Sequence, residues 1–295
     1  MTALIVGRSL QGLASGGLIL LVYVAISDMF SMRKRSLLMG LAGGIWALAG
    51  GVGPVLGGAF ASLTSWRWCF WINLPVCGIS FVLLLLFLDI KHEHTSLKDG
   101  AKAIDWIGIV TFLAFALMVL LGLNFGGVEF PWDNAKVIAL ILVGTCMIGV
   151  FIYSQKMIAK YPLMPLHVFR DRSNVAALLV GFFHGMTYIG AEYYMPLYFQ
   201  AVKQRSALQS GILLVPLNVA AASSDIFAGF IQHHTGGRYR ELIQSGTVLL
   251  CLGSGLFVLL DVGTSLAEAI GLQIVFGCGS GLLFVPPLIA IQNRS

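Results

Sequence analysis

The sequence predicts an all-α, polytopic membrane protein, and three observations carry that expectation. Hydrophobic residues occupy 58% of the 295 positions and charged residues only 11%. Mean hydropathy is +0.88, so the chain cannot keep most of its surface in water. The apolar residues gather into nine runs, at approximately 3–26, 37–60, 70–88, 104–125, 135–155, 174–199, 208–231, 242–260 and 267–290. Each is close to the about 20 residues that cross a hydrocarbon core about 30 Å thick. Runs this long and this numerous are neither signal peptides nor buried helices of a soluble domain.

The first run contains GRSLQGLASGG at 7–17. Arg8 lies six residues inside it, about 9 Å deep at 1.5 Å per residue. A charge there costs about 2.5–3.5 kcal/mol on insertion scales and persists by facing a cavity or a partner. The alternative is snorkelling to the outer interface. The second run carries Gly40 and Gly44, Gly53 and Gly57, and Pro54 within AGGVGPVLGG at 49–58. In water each helical glycine costs about 1 kcal/mol relative to Ala. In a bilayer the same residues let backbones approach, and a proline is tolerated where neighbours satisfy the freed carbonyl.

SWRWCFWINLP at 65–75 forms a Trp-rich turn into the third run. Trp66, Trp68, Trp71 and, later, Trp132 fall at a span boundary, where aromatic belts anchor helices. The fourth and fifth runs lie between two polar stretches, KHEHTSLKDGAK at 91–102 and QKMIAKYPLMPLHVFRDRS at 155–173. In the sixth run Glu192 sits within GAEYYMPLYFQ beside Tyr188, Tyr193 and Tyr194. A desolvated carboxyl there can take up a proton, or it can line an outer vestibule. Asp225 in the seventh run is expected to hydrogen bond to Ser223 or Ser224. Phe183, Tyr188, Tyr194, Asn218 and Gln273 are candidates to line an amphipathic cavity, with helix packing or lipid contact as the alternative for each.

The eighth run holds Cys251, and Cys69, Cys77, Cys146 and Cys278 likewise lie in or beside apolar runs without a CxxC spacing. They are expected to be small packing residues. Moving the first run forward by 265 residues places Gly12, Ser15, Gly16, Leu18, Ala25 and Ile26 on Gly277, Ser280, Gly281, Leu283, Ala290 and Ile291 of the ninth. That suggests a parallel repeat, with Gln273 at the place of Arg8.

Lys and Arg set the orientation, because basic short loops stay on the cytoplasmic side. One set of alternate loops carries Arg33, Lys34, Arg35, Lys91, Lys98, Lys102, Lys156, Lys160, Arg170, Arg172, Arg238, Arg240 and Arg294; the other carries only Arg67, Lys136, Lys203 and Arg205. The first span is therefore expected to enter from outside, and a leading segment is expected upstream of Met1. The net charge of +5 reads as topology, and no nucleic-acid partner is expected.

Taken together, these motifs resemble the major facilitator superfamily, and within it the fourteen-span drug:proton antiporters of fungi and bacteria. Arg8, Gln11 and Gly12 match the R-x-x-Q-G signature of the family's fourth span, with Ala14 where a glycine is usual. Gly53, Pro54, Gly57 and Gly58 match the antiporter motif of the fifth, with Ala49 at its leading glycine. SWRWCFWINLP resembles the turn before the sixth span, and IDWIG at 104–108 the start of an extra helix pair. The resemblance implies a helical bundle in which the nine spans are the fourth to the twelfth. It divides the chain into a remainder of the N-terminal bundle at 1–90, cytoplasmic loops with the central helix pair at 91–172, and a partial C-terminal bundle at 173–295.

The resemblance further implies a role for Arg8 in proton coupling and a hinge around Gly53. The expected function is proton-coupled efflux of small amphipathic organic compounds, such as a drug, toxin or secondary metabolite, across the plasma membrane by alternating access. The alternatives are uptake of an iron chelate or nutrient by the same superfamily, and a truncated remnant that does not transport. No HExxH, GxSxG or paired-carboxylate site occurs among the spans, so an enzyme is not expected. His92 and His94, and the adjacent His233 and His234, lack convergent ligands; neither a metal nor a cofactor is expected. The sequon at 293–295 falls on the expected cytoplasmic face.

Overall fold

A computed structural model describes residues 2–88, 96–235 and 238–292. His92, His94 and the sequon lie outside the described residues. Among those described, nine segments are long and apolar enough to cross a membrane, in the order the hydropathy pattern predicts. They are built from α1 (Thr2–Met29), α2 (Met32–Leu63), α3 (Trp68–Trp71) with α4 (Asn73–Phe87), α6 (Trp106–Phe125), α7 (Ala135–Met157), α8 (Arg172–Ala201), α9 (Ala207–Thr235), α10 (Tyr239–Leu256), and α11 (Leu266–Gly281) with α12 (Pro286–Gln292). The short α5 (Leu97–Ala103) precedes α6.

Two spans differ from a continuous helix. The third divides at Ile72 between α3 and α4. The ninth breaks between α11 and α12, where Pro286 and Pro287 supply no backbone donor and Pro286 disfavours helical geometry at Val285. This break separates Leu283 from Ala290, whereas their counterparts Leu18 and Ala25 lie on the unbroken α1. The suggested repeat thus has one continuous copy and one interrupted copy.

The chain forms two compact units, Met1–Leu86 with Ser173–Ser295, and Phe87–Arg172. In the smaller unit, α6 and α7 pack antiparallel through Gly122, which faces Ile141, and Gly144, which faces Val119 and Met118. Asp105 caps α6 by accepting from the Gly108 amide at 2.9 Å, so the IDWIG motif is a helix start. Gln155 Nε2 donates to the other Asp105 oxygen, and Gln155 Oε1 accepts from the Met164 amide.

In the larger unit, α2 and α9 run antiparallel in a register set by glycines. Gly40 lies against Gly229, Gly44 against Ile226, Gly51 against Asn218, the Pro54 carbonyl against Gly211, and Gly58 against Leu208. Gly277 and Gly281 bring α11 onto the carbonyls of Leu217 and Ala221, and Gly253 brings α10 onto the Phe276 backbone. A core of Tyr188, Met195, Phe199, Leu214, Leu217, Leu250, Phe276 and Leu283 fills the space between α8 and these helices. By contrast α1 and α4 bury no residue, and many side chains such as Leu13 (78% exposed) and Phe87 (79%) face outward. An apolar surface on this scale requires a bilayer.

Candidate functional site

The larger unit contains a polar stripe on one face of α8. His184, Tyr188 and Glu192 are spaced four residues apart, which aligns them over successive turns. Tyr188 Oη donates to Asn218 Oδ1 on α9 at 3.0 Å, and Asn218 is fully buried. The Glu192 carboxyl lies within interaction range of the Asn218 amide and the Tyr188 hydroxyl. Its Oε1 is enclosed without a hydrogen-bond partner. At the lower end of the stripe His184 Nε2 lies 2.8 Å from Ser280 Oγ on α11, and the Phe284 ring packs edge-on against His184 and Tyr188.

Two glycines open the place where α2 meets this cluster. A Cβ at Gly50 would come to 3.0 Å from Asn218 Oδ1 and 3.6 Å from Tyr188 Oη; one at Gly51 would come to 3.0 Å from Asn218 Cβ. The antiporter-like segment at 49–58 thus adjoins the cluster through Gly50 and Gly51, which precede the matched motif positions.

The expected site residues separate into groups. Glu192, Tyr188 and Asn218 come together. Gln273 is also fully buried, with Nε2 donating to the Ala269 carbonyl at 3.3 Å and Oε1 without a partner. Phe183 and Tyr194 are 60% and 66% exposed. They line two outward-facing grooves between α8 and α10, of about 450 and 390 Å³. Arg8 donates to Gln11 Oε1 at 3.2 Å on an exposed face of α1, whereas Glu192 faces Tyr188 and Asn218. Gly12, Gly53 and Gly57 border open space, whereas Pro54 and Gly58 sit in the α2–α9 contact.

One expectation is corrected. Asp225 does not hydrogen bond to Ser223 or Ser224: Ser223 donates to the Val219 carbonyl, and neither Asp225 oxygen has a hydrogen-bond partner. Residues one and two apart on a helix point to different faces, so these serines could not reach it. His184 and Ser280 join the cluster without being among the expected site residues. The i, i+4, i+8 spacing with Tyr188 and Glu192 signals His184, whereas Ser280 on α11 carries no such signal.

An all-helical bundle with this exposed apolar surface and an enclosed polar cluster defines an integral, multi-pass membrane protein. The sequence matches the Major Facilitator Superfamily over residues 1–295, and the chain belongs to that family. It is similar to "Efflux pump dotC" of Dothistroma septosporum, with 41% identity over 295 residues, covering 99% of this chain and 50% of that protein. It is also similar to "MFS-type transporter ppz2" of Metarhizium majus, at 40% identity covering 98% of this chain and 50% of that protein. The "Acurin A biosynthesis cluster MFS-type transporter" of Aspergillus aculeatus is 35% identical over 99% of this chain and 53% of its own length. The chain spans about half the length of the curated relatives it matches.

Proposed function

We propose that this chain forms part of a secondary transporter that exports small amphipathic organic compounds in exchange for protons by alternating access. The observation that carries the reading is the Glu192–Tyr188–Asn218 cluster, a carboxyl with an unpartnered oxygen in a bundle core. A half-buried carboxyl with one enclosed oxygen changes its interactions when it gains or loses a proton, which is what coupling requires. Relatives named as efflux pumps, the drug, toxin or secondary-metabolite class of cargo, and export at the plasma membrane make a consistent reading.

In this reading the basic loops face the cytoplasm, and 1–90, 91–172 and 173–295 are the three functional segments. Arg8 and Glu192 are the proton-coupling candidates. Gln11, Gly12, Gly53, Pro54, Gly57 and Gly58 form the motif and hinge, and Phe183, Tyr188, Tyr194, Asn218 and Gln273 contribute to the substrate path. The test is accumulation of a fluorescent lipophilic dye in cells expressing the chain, with and without a protonophore. Reduced accumulation that the protonophore and Glu192→Gln both abolish is expected. Accumulation equal to that of an empty vector would overturn transport by this chain.

A further inference from the structure

The α2–α9 contact encloses a second carboxyl that plays no part in the cluster above. Asp225 is fully buried, and neither of its oxygens has a hydrogen-bond partner. Buried polar atoms are almost always paired, so two orphaned oxygens on one side chain call for an explanation. The residue facing them is Gly43. A Cβ built there would collide with the Asp225 carboxyl, and Gly40 and Gly44 on either side pack against Gly229, the Asp225 carbonyl and Ile226. The carboxyl is therefore closed in by the backbone of α2 and cut off from the surface.

Among the described residues around it, no cation stands against the Asp225 carboxyl. From α1, Tyr23 lies within electrostatic reach of Asp225, and its neutral phenol brings no positive charge to balance a carboxylate. From α2 the facing residues are Gly40, Gly43 and Gly44. Arg35 lies eight residues before Gly43, about 12 Å along the helix axis, and its guanidinium donates to the Ser27 carbonyl and Gln292 Oε1. On α9 itself Ala221, Ala222, Ala228 and Gly229 occupy the adjoining turns. From α11, Gly281 meets Ala221 and Ser224, and presents no charge.

We propose that Asp225 is a proton-binding site that governs the α2–α9 contact. The closed contact admits the neutral carboxyl. Loss of the proton leaves a carboxylate that can be satisfied only by water or a donor reaching it, and the helices must part to let that happen. The step is a single proton transfer: the carboxyl O–H bond breaks, the proton passes to water entering the opening, and no other bond changes. The glycines that make the contact tight are also what make it sensitive, because Gly40, Gly43 and Gly44 offer no side chain to solvate the charge. This site is independent of Glu192 and of whether the chain transports a solute.

The experiment measures the α2–α9 separation directly. Spin labels are placed on exposed positions of the two helices, at Leu41→Cys and Phe230→Cys, in the full chain with its five native cysteines replaced, reconstituted in lipid. The distance distribution is read between acid and alkaline pH. A single short distance at acid pH, giving way to a longer population as pH rises, is expected. Asp225→Asn, which keeps the shape without an ionisable proton, is expected to hold the short distance throughout, whereas Glu192→Gln leaves the transition intact. An infrared difference spectrum gives a second readout: the C=O stretch of a buried protonated carboxyl should be present at acid pH and absent from Asp225→Asn. A distance that does not respond to pH, or a response unchanged in Asp225→Asn, would overturn the proposal. A transition lost only in Glu192→Gln would assign the proton to the other cluster and overturn it equally.

Discussion

Tyr188 Oη donates a hydrogen bond to Asn218 Oδ1 at 3.0 Å, tying α8 to α9 where Gly50 and Gly51 bring α2 against the same amide. Three helices thus meet on one buried polar contact. Tyr188→Phe keeps the ring in the core and removes only the donor, leaving Asn218 Oδ1 enclosed and unpaired. Stability should fall by about 1–3 kcal/mol, the cost of an orphaned buried acceptor. Thermal unfolding of the purified protein in detergent measures it. Replacing both partners, Tyr188→Phe with Asn218→Leu, should cost less than the sum of the single changes if the hydrogen bond is what couples them.

Asp105 serves two partners in the smaller unit, capping the Gly108 amide and accepting from Gln155 Nε2. Asp105→Ala removes the cap and leaves the buried Gln155 amide without that acceptor. The cap alone is worth about 0.5–2 kcal/mol. Asp105→Asn keeps an oxygen for the cap and should recover part of the loss. Hydrogen exchange of the amides at the start of α6 should quicken in the alanine variant and much less in the asparagine one.

Much of this architecture is legible in the chain because hydrophobic run length reports spans directly. IDWIG marks a helix start, and the glycines of the second run mark the face that a neighbour approaches. The pairing of Tyr188 with Asn218 is not legible, since it depends on how two helices are rotated about their axes. The surroundings of Asp225 are not legible for a related reason. Its sequence neighbours Ser223 and Ser224 are close along the chain and lie on other faces, while the residue that faces it, Gly43, is supplied by a distant helix. Arg8 and Gln11 show the opposite case: three residues apart on one helix, they meet as spacing alone dictates.

The loop between α10 and α11 is held to the end of α8 by two side chains. Lys203 Nζ donates to the carbonyls of Val262 and Thr264, and Tyr198 Oη donates to the Asp261 carbonyl at 2.8 Å. Lys203→Met keeps the aliphatic stem and discards both bonds. The loop at 261–264 should then open more often, and limited proteolysis there should accelerate severalfold while unfolding of the bundle is unchanged.

The glycines divide into two physical kinds, and that division predicts opposite outcomes for similar substitutions. At Gly281 a new Cβ would run into the Ala221 carbonyl and Ser224, and at Gly253 it would meet the Phe276 backbone. Neither obstacle is a flexible side chain, so Gly281→Val and Gly253→Val must push α11 away from α9 or α10. A loss of about 1–3 kcal/mol is expected from overpacking of this kind, seen as a lowered unfolding temperature and poorer yield of monodisperse protein. At Gly53 and Gly57 a Cβ meets nothing within 4 Å. Gly53→Val should therefore leave insertion and thermal stability of this chain close to native, apart from a small change in helix propensity. If Gly53 is the hinge residue proposed above, dye export should be abolished in the same variant. Export that survives with native stability would remove Gly53 from the mechanism, whereas a collapse in stability would mean that its open face is occupied in the folded protein.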